Sequence, residues 1–412
     1  MSIPVFDTFW KAAKDTDLSL VAIQYDPNRE GIATFCGKRG IPMLTHARAT
    51  GLLLSDRLKG KEIVEVTGAC GKTTTVSHIA SILRARGGQS VVMSSNGVDI
   101  VEQERVFKLD ERGSITPAYA LRAVRMAYEA GADPDTFVFE VSLGGLGIGT
   151  VGAVLGVPLH LEVGVGKSAF FSKAQMAEYA RPLSVLCLNA DDVPSRRMGM
   201  MTSAHVNLFS VHEGANVCPS RVAVRPDTET MHISYEGLRT CRGTVKKGKI
   251  EFTPNTGFFG KSAVSNFVAA TAIALSLGID AATVTEGLST SRPLHNRLVF
   301  SRHGHISIIS STATSKETIE HAIEEAHQYT RITGERLSVV VGGKARTTCG
   351  AVDYGALATM LNTYSATLPV TLYGELGRMV RDAGCSAPFH DSRKSAIGSH
   401  QGVGGVVVTC SN

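Results

Sequence analysis

The sequence predicts an α/β protein in which a domain built on a parallel sheet is followed by a second α/β domain. Three observations lead there. The strand-like run "EIVEVTG" passes through a Gly-rich turn into the helical run "KTTTVSHIASILRARGG" and then the strand-like "SVVMSS", which together make a βαβ unit. The alternation of strand and helix continues from there to about residue 205. After Arg297 it begins again and runs to a last strand-like stretch, "GVVVTCS".

The elements follow in order. Residues 1–60 form a short amino-terminal segment with two strand-like stretches, "LSLVAIQYD" and "GIPMLTH". The helix after the Gly-rich turn stops at Gly87-Gly88, as helices commonly do. Next come a helix in "TPAYALRAVRMAYEAG", with Pro117 in its first turn, and a strand in "TFVFEVS". A helix in "SKAQMAEYARPL" and a strand in "SVLCLNADD" continue the series. From about 205 to 256 the texture changes to short alternating strands such as "TMHISYEG" and "GTVKKGKIEFTP", which read as a β insertion in this domain. "AVSNFVAATAIALSLGI" is apolar nearly all round, so it reads as a buried helix. A boundary near 298 divides a central domain, 61–298, from a carboxy-terminal one, 299–412. The latter runs "HISIIS", "KETIEHAIEEAHQYT", "LSVVVGG", "YGALATMLNTYS", "VTLYGE", "LGRMVRDAG".

Composition narrows the function classes. At 412 residues, 43% hydrophobic and 19% charged, the chain has enough apolar sequence for more than one core. Its net charge of +5 comes from scattered Lys and Arg, so nucleic acid is not called for, although an anionic ligand suits it. The eight cysteines show no C-x-x-C pairing and read as reduced thiols of a cytoplasmic protein. No signal peptide opens the chain, and no apolar run approaches the ~18 residues of a membrane span.

The most informative stretch is "EVTGACGKTTT". A Walker A loop has a Gly five positions before the Gly of its Gly-Lys pair, and here that position is Val66. What is present is a shorter T-G-x-x-G-K-T-T, from Thr67 to Thr74. Gly68 and Gly71 let backbone N–H groups approach phosphate oxygens, Lys72 adds a cation, and Thr73 can ligate Mg²⁺ at the positive end of the helix. The bland alternative is a Gly-rich turn with a chance Lys-Thr pair.

This shortened loop resembles that of the Mur ligase family of ATP-dependent ligases. The resemblance implies the family's architecture: a substrate-side segment, a phosphate-loop ATPase domain and a Rossmann-like domain. It also implies ATP and Mg²⁺ as cofactors, and a nucleotide site of Thr67, Gly68, Gly71, Lys72, Thr73 and Thr74. Glu140 of "FEVSLGGLG" stands where the family's Mg²⁺-binding Glu follows a strand, so Thr73 and Glu140 become the metal ligands. A carboxylate at the carboxyl end of a strand beside a phosphate loop is also where open α/β sheets bind ligands. Asn266 of "SNFVAATAIALSLGI" matches an adenine-contacting Asn, with a helix cap as the alternative. Arg297 of "PLHNRLVF" matches a junction Arg that reaches the γ-phosphate, with an ordinary surface Arg as the alternative.

A narrower resemblance lies in "SITPA", "FEVSLGGLGIGTVG" and "GKSAFFSKAQ", which are similar to the Mur-related synthetases that complete the nickel tetrapyrrole coenzyme F-430 in methanogens. It implies a nickel-containing seco-tetrapyrrole as substrate. About sixty residues before the loop leave little room for the larger domain on which peptidoglycan ligases hold a UDP-linked substrate. There are departures too. Gln175, with Lys173 two residues before it, stands where many members carry a carbamylated Lys, which removes a support for a second metal. "IISSTATSKET" replaces an Asp and His, leaving Ser310, Ser311 and Lys316 for the ribose contact. "VVVGGKARTT" offers Lys344 and Arg346 to a substrate carboxylate or to solvent.

Together these residues imply activation of a carboxylate as an acyl phosphate, with Lys72, Glu140 and Arg297 stabilising the phosphoryl in flight. Attack by a carbon of the same macrocycle then closes a carbocyclic ring, and His160 of "PLHLEVG" is the candidate base. Two alternatives stay open: a ligase joining a carboxylate to an amino acid, and a non-catalytic ATP-binding partner subunit. His303 and His305 share a strand face if "SRHGHIS" is extended, but a turn with solvated imidazoles is the preferred reading, and nickel belongs to the substrate. No membrane or nucleic-acid partner is expected, and a homodimer is left open.

Overall fold

The computed structural model describes residues 21–23, 31–111, 113–157, 168–220, 230–303, 305–312, 316–345, 352–400 and 405–411. Its centre is a sheet of 11 strands. Five parallel strands form the heart of that sheet, in the spatial order Val185–Asn189, Val151–Val154, Glu62–Thr67, Thr136–Glu140, Ser90–Ser94. They are rich in Val, Phe and Leu and almost wholly buried, because helices cover both faces. The helix Lys72–Arg86 lies on one face and buries Val76, Ile79, Ile82 and Leu83. It ends at Gly87, with φ of 79°, whose N–H bonds the carbonyls of Leu83 and Arg84. Against it packs Ala281–Thr290, where a Cβ on Gly287 would come within 2.4 Å of Ile82 Cα. The predicted buried helix is Gly260–Ser276, with thirteen of its residues buried.

The β-rich segment after residue 205, read as a β insertion in the central domain, joins that domain's own sheet. His205–Phe209 continues the parallel order beside Val185–Asn189, and Val217–Pro219 with the hairpin Met231–Arg239/Val245–Phe252 extends the same edge. The opposite edge carries a hairpin absent from the sequence reading, Gly97–Val101/Val106–Asp110. Ahead of the sheet, Ile32–Arg39 and His46–Ser55 are helices, and Met43–Thr45 pairs in parallel with Val21–Ile23.

A second sheet has 6 strands in the order Arg297–His303, Ile306–Ser311, Gly405–Ser411, Leu337–Gly343, Val370–Tyr373, Phe389–His390. All pairs are parallel except the first, an antiparallel hairpin whose turn holds His305. Among the described residues no group of His, Cys, Asp and Glu is arranged to hold a metal. Nor is any helix among them long and apolar enough to cross a membrane. The chain passes from the first sheet to the second through Asn296 and Leu298, non-glycine residues at φ of 56° and 52° that flank Arg297. Glu325, on the helix Lys316–Thr333 of the second unit, closes the junction. Its carboxylate accepts from Lys261 N at 2.9 Å, Ser262 N at 3.0 Å and Ser262 Oγ at 2.8 Å, and so caps the helix Gly260–Ser276.

Candidate active site

The strand Glu62–Thr67 delivers the chain into the Gly-rich loop, and the helix Lys72–Arg86 leaves it. Ala69 N bonds Gly156 O at 2.9 Å, which ties the loop to the turn after the neighbouring strand. Gly71 has φ of 80°, and a Cβ there would sit 2.4 Å from Asn266 Oδ1. Asn266 also accepts from Thr75 Oγ1 at 3.3 Å. It lies in the second turn of its helix and braces the back of the loop, so it is not a helix cap; that position belongs to Glu325. Lys72 Nζ donates to Gly68 O at 2.9 Å and Ala69 O at 3.3 Å, which holds the ammonium over the loop. Thr67 is buried and its Oγ1 has no partner, while Thr74 is half-buried on the first helical turn.

Four side chains meet beside the loop. Thr73 Oγ1 donates to Glu140 Oε1 at 3.0 Å and lies 2.8 Å from Ser95 Oγ. Ser95 N donates to Glu140 Oε2 at 3.0 Å, and Arg297 Nη2 donates to Ser95 Oγ at 3.2 Å. Glu140 is 1% exposed and Arg297 is exposed. Thr73 and Glu140, predicted as metal ligands, are therefore adjacent, and Arg297 reaches them from the junction. Sequence reasoning missed Ser95. Two hydroxyls and a carboxylate form an all-oxygen donor set, which suits a hard divalent cation such as Mg²⁺ or Mn²⁺.

The sequence also gave no sign of what orders the loop after Glu140. Glu65 is wholly buried and accepts from the backbone N–H groups of Leu146 at 2.6 Å, Ile148 at 2.9 Å and Gly149 at 2.6 Å. Burial pushes its carboxyl above the usual range while these donors oppose the shift. From the other side Arg48 Nη1 donates to Gly147 O at 3.4 Å, and Gly51 leaves no room for a Cβ against Leu146 O. Lys173 is 3% exposed and Nζ donates to Ser142 O at 3.0 Å, two residues beyond Glu140. Gln175 packs beside Gly144, donates to Ser172 O at 3.0 Å, and leaves Oε1 buried without a partner. In the second sheet Ser311 pairs in register with Arg297, Lys316 opens its helix, and Lys344 is exposed. His160 and Arg346 lie outside the described residues.

A nucleotide-type loop, a buried carboxylate beside its Thr and a junction Arg from a second sheet make a specific combination, and the family comparison decides it. The model of the Mur ligase middle domain matches residues 66–274, half of the chain. The chain belongs to the Mur ligase family. Mur ligases are ATP-dependent ligases, and the two-sheet α/β architecture is theirs. Coenzyme F(430) synthetase of Methanosarcina acetivorans is 25% identical over 362 residues, covering 85% of this chain and 75% of that one. A UDP-N-acetylmuramoyl-L-alanyl-D-glutamate–2,6-diaminopimelate ligase of Bacillus licheniformis is 25% identical over 322 residues; the match spans 73% of this chain and 62% of that ligase's length. Among solved structures, a bifunctional folylpolyglutamate synthase/dihydrofolate synthase of Yersinia pestis, complexed with AMPPNP and Mn ion, superposes with a TM-score of 0.60 at 16% identity. It covers 89% of this Mur ligase and 90% of its own chain.

Proposed function

We propose that this Mur ligase binds ATP with Mg²⁺, phosphorylates a propionate carboxylate of a nickel seco-tetrapyrrole, and closes a carbocyclic ring to give coenzyme F-430. The observation that carries the ATP chemistry is the Thr73–Ser95–Glu140–Arg297 cluster beside Lys72. In support, the Yersinia pestis fold relative was solved with AMPPNP and Mn ion. The substrate assignment is supported by the runs "SITPA", "FEVSLGGLGIGTVG" and "GKSAFFSKAQ", and by the similarity to the Methanosarcina acetivorans synthetase.

Thr73, Ser95 and Glu140 would hold the cation, and the loop N–H groups with Lys72 would hold the phosphates; Asn266, which braces the back of the loop, is the residue proposed for the adenine contact. ATP supplies the phosphoryl group, and the cation shields its charge. Arg297 brings a second positive charge from the junction, where a closing motion of the second unit tightens it. The carboxylate oxygen takes the phosphoryl, ADP leaves, and a macrocycle carbon attacks the acyl carbon. A C–C bond forms, the bond to phosphate breaks, and the carbon's proton passes to a base, for which His160 is proposed. Nucleophile and acyl group belong to one molecule, which contributes up to ~7–11 kcal/mol of proximity in well-oriented cases. The described cysteines are free thiols, in keeping with a cytoplasmic setting.

A second reading, ligation of a carboxylate to an amino acid, is favoured by the similarity to the Bacillus licheniformis ligase. Incubation with ATP and either the seco-tetrapyrrole or an amino acid acceptor, followed by denaturing mass spectrometry, separates the two. The primary reading expects a tetrapyrrole product lighter by one water; a product only with glutamate or alanine overturns it, and no ADP with either leaves a non-catalytic ATP-binding subunit.

A further inference from the structure

The second sheet carries a cation that the proposed reaction does not use. Arg393 opens the short helix Arg393–Gly398, just after the edge strand Phe389–His390. Its side chain reaches over the sheet, where Nη2 donates to Ser310 Oγ at 3.0 Å and to Thr409 Oγ1 at 2.9 Å. The two hydroxyls stand 3.3 Å apart and fix the guanidinium from one side. A guanidinium has five donors, and the rest of this one is unsatisfied. Nε is sealed from solvent without a partner, Nη1 has no partner and stays open to solvent, and no carboxylate among the described residues pairs with the charge. A half-buried cation held only by neutral hydroxyls is an incomplete arrangement, since a buried charge ordinarily finds an opposite one.

Its place in the fold indicates what completes it. Ser310 and Thr409 stand near the carboxyl ends of two adjacent parallel strands, the edge at which open α/β sheets take ligands. Ser311, the next residue, pairs with Arg297, whose guanidinium joins the phosphate-loop cluster through Ser95. The unsatisfied cation thus sits on the edge of the second sheet that meets the first. With Nη2 held by the hydroxyls and Nε sealed, Nη1 is the nitrogen left to meet a ligand, and its charge-assisted hydrogen bond suits a carboxylate oxygen.

We infer that Arg393, positioned by Ser310 and Thr409, is a carboxylate-binding subsite that holds a non-reacting carboxylate of the molecule activated at the phosphate loop. The last clause rests on the function proposed above; the subsite does not. Glutarate serves as the probe of an alkyl carboxylate, inorganic phosphate as the probe of a phosphoryl group, and dimethyl glutarate as the uncharged control. With arginine labelled in ¹⁵N, the Nε–H resonance missing from Arg393→Lys marks the site. Glutarate should shift that resonance saturably in the whole protein, dimethyl glutarate should not, and Arg393→Lys should bind glutarate about ten-fold more weakly by thermal-shift titration. No shift with glutarate, an equal shift with its ester, or a shift with phosphate alone overturns the carboxylate assignment. In turnover, Arg393→Lys should raise KM for the tetrapyrrole acid about ten-fold and leave KM for ATP unchanged. Absence of turnover with any acid in the wild type contradicts the proposed function, while the glutarate titration still decides the subsite.

Discussion

Lys72 lies over the phosphate loop with its ammonium on the loop's own carbonyls and contributes nothing to a core. Lys72→Ala should therefore lower ATP turnover by two or more orders of magnitude while the thermal midpoint stays near wild type; near wild-type turnover removes the phosphate-loop assignment. Glu140 is the buried carboxylate of the cluster, and Glu140→Gln keeps its size while removing its charge. The Mg²⁺ concentration for half-maximal activity should rise at least ~10-fold, and an unchanged titration would mark Glu140 as structural. Both residues were named from the sequence because each belongs to a short motif with a mechanism, and these variants test the roles given them. Ser95 was not named. A Ser after a strand is common, and its meaning comes only from sheet order, which sets Ser90–Ser94 beside Thr136–Glu140 although some forty residues separate them.

The loop helix Lys72–Arg86 was readable end to end because a Gly-rich turn starts it and Gly87-Gly88 stop it. Val151–Val154 was not, because a four-residue strand inside a Gly-rich run shows no periodicity of its own. The segment after 205 was read as strands but not placed, since alternation says which face is buried and nothing about the edge it joins. His78, on the inner face of the loop helix, tests how that helix is held. It is wholly buried against Phe258 and Phe267, with Nδ1 2.7 Å from Ser291 Oγ, and burial pushes its pKa down to about 3. Between the ordinary value of 6.5 and about 3, the unfolded chain takes up a proton that the folded one refuses. Stability should fall as pH falls through that window, by ~1.4 kcal/mol per pH unit from this group. His78→Phe should lack that component in denaturant unfolding followed from pH 7 to pH 4, and parallel profiles for the two proteins would contradict it.

Two sheets joined through one short crossing are held in register by contacts besides the covalent link, among them Glu325, the Arg297–Ser95 hydrogen bond and Phe259 packed on Tyr329. At the capped helix start Gly260 has φ of 76°, and a Cβ there would lie 2.0 Å from Glu325 Oε2, so glycine lets the carboxylate approach. Glu325→Ala would strand the donors of Lys261 and Ser262 at a helix end, costing ~2–3 kcal/mol. Its thermal unfolding should split, with the second sheet melting first; a single transition at the wild-type midpoint contradicts that role. The existence of two α/β units was legible from the restarted alternation after Arg297, whereas the Glu325 contacts between them join residues 63 and 64 apart in sequence and have no local signature. On the function proposed above, the assembled molecule would serve one step, transfer of phosphoryl from ATP to a carboxylate at the cluster beside Lys72. Substrate carrying ¹⁸O in its propionate carboxylate follows that step atom by atom. One labelled oxygen should appear in the released phosphate for each ring closed, and Arg297→Ala should slow the transfer without weakening macrocycle binding. Label in AMP, or unlabelled phosphate beside cyclised product, would contradict acyl phosphate chemistry at this site.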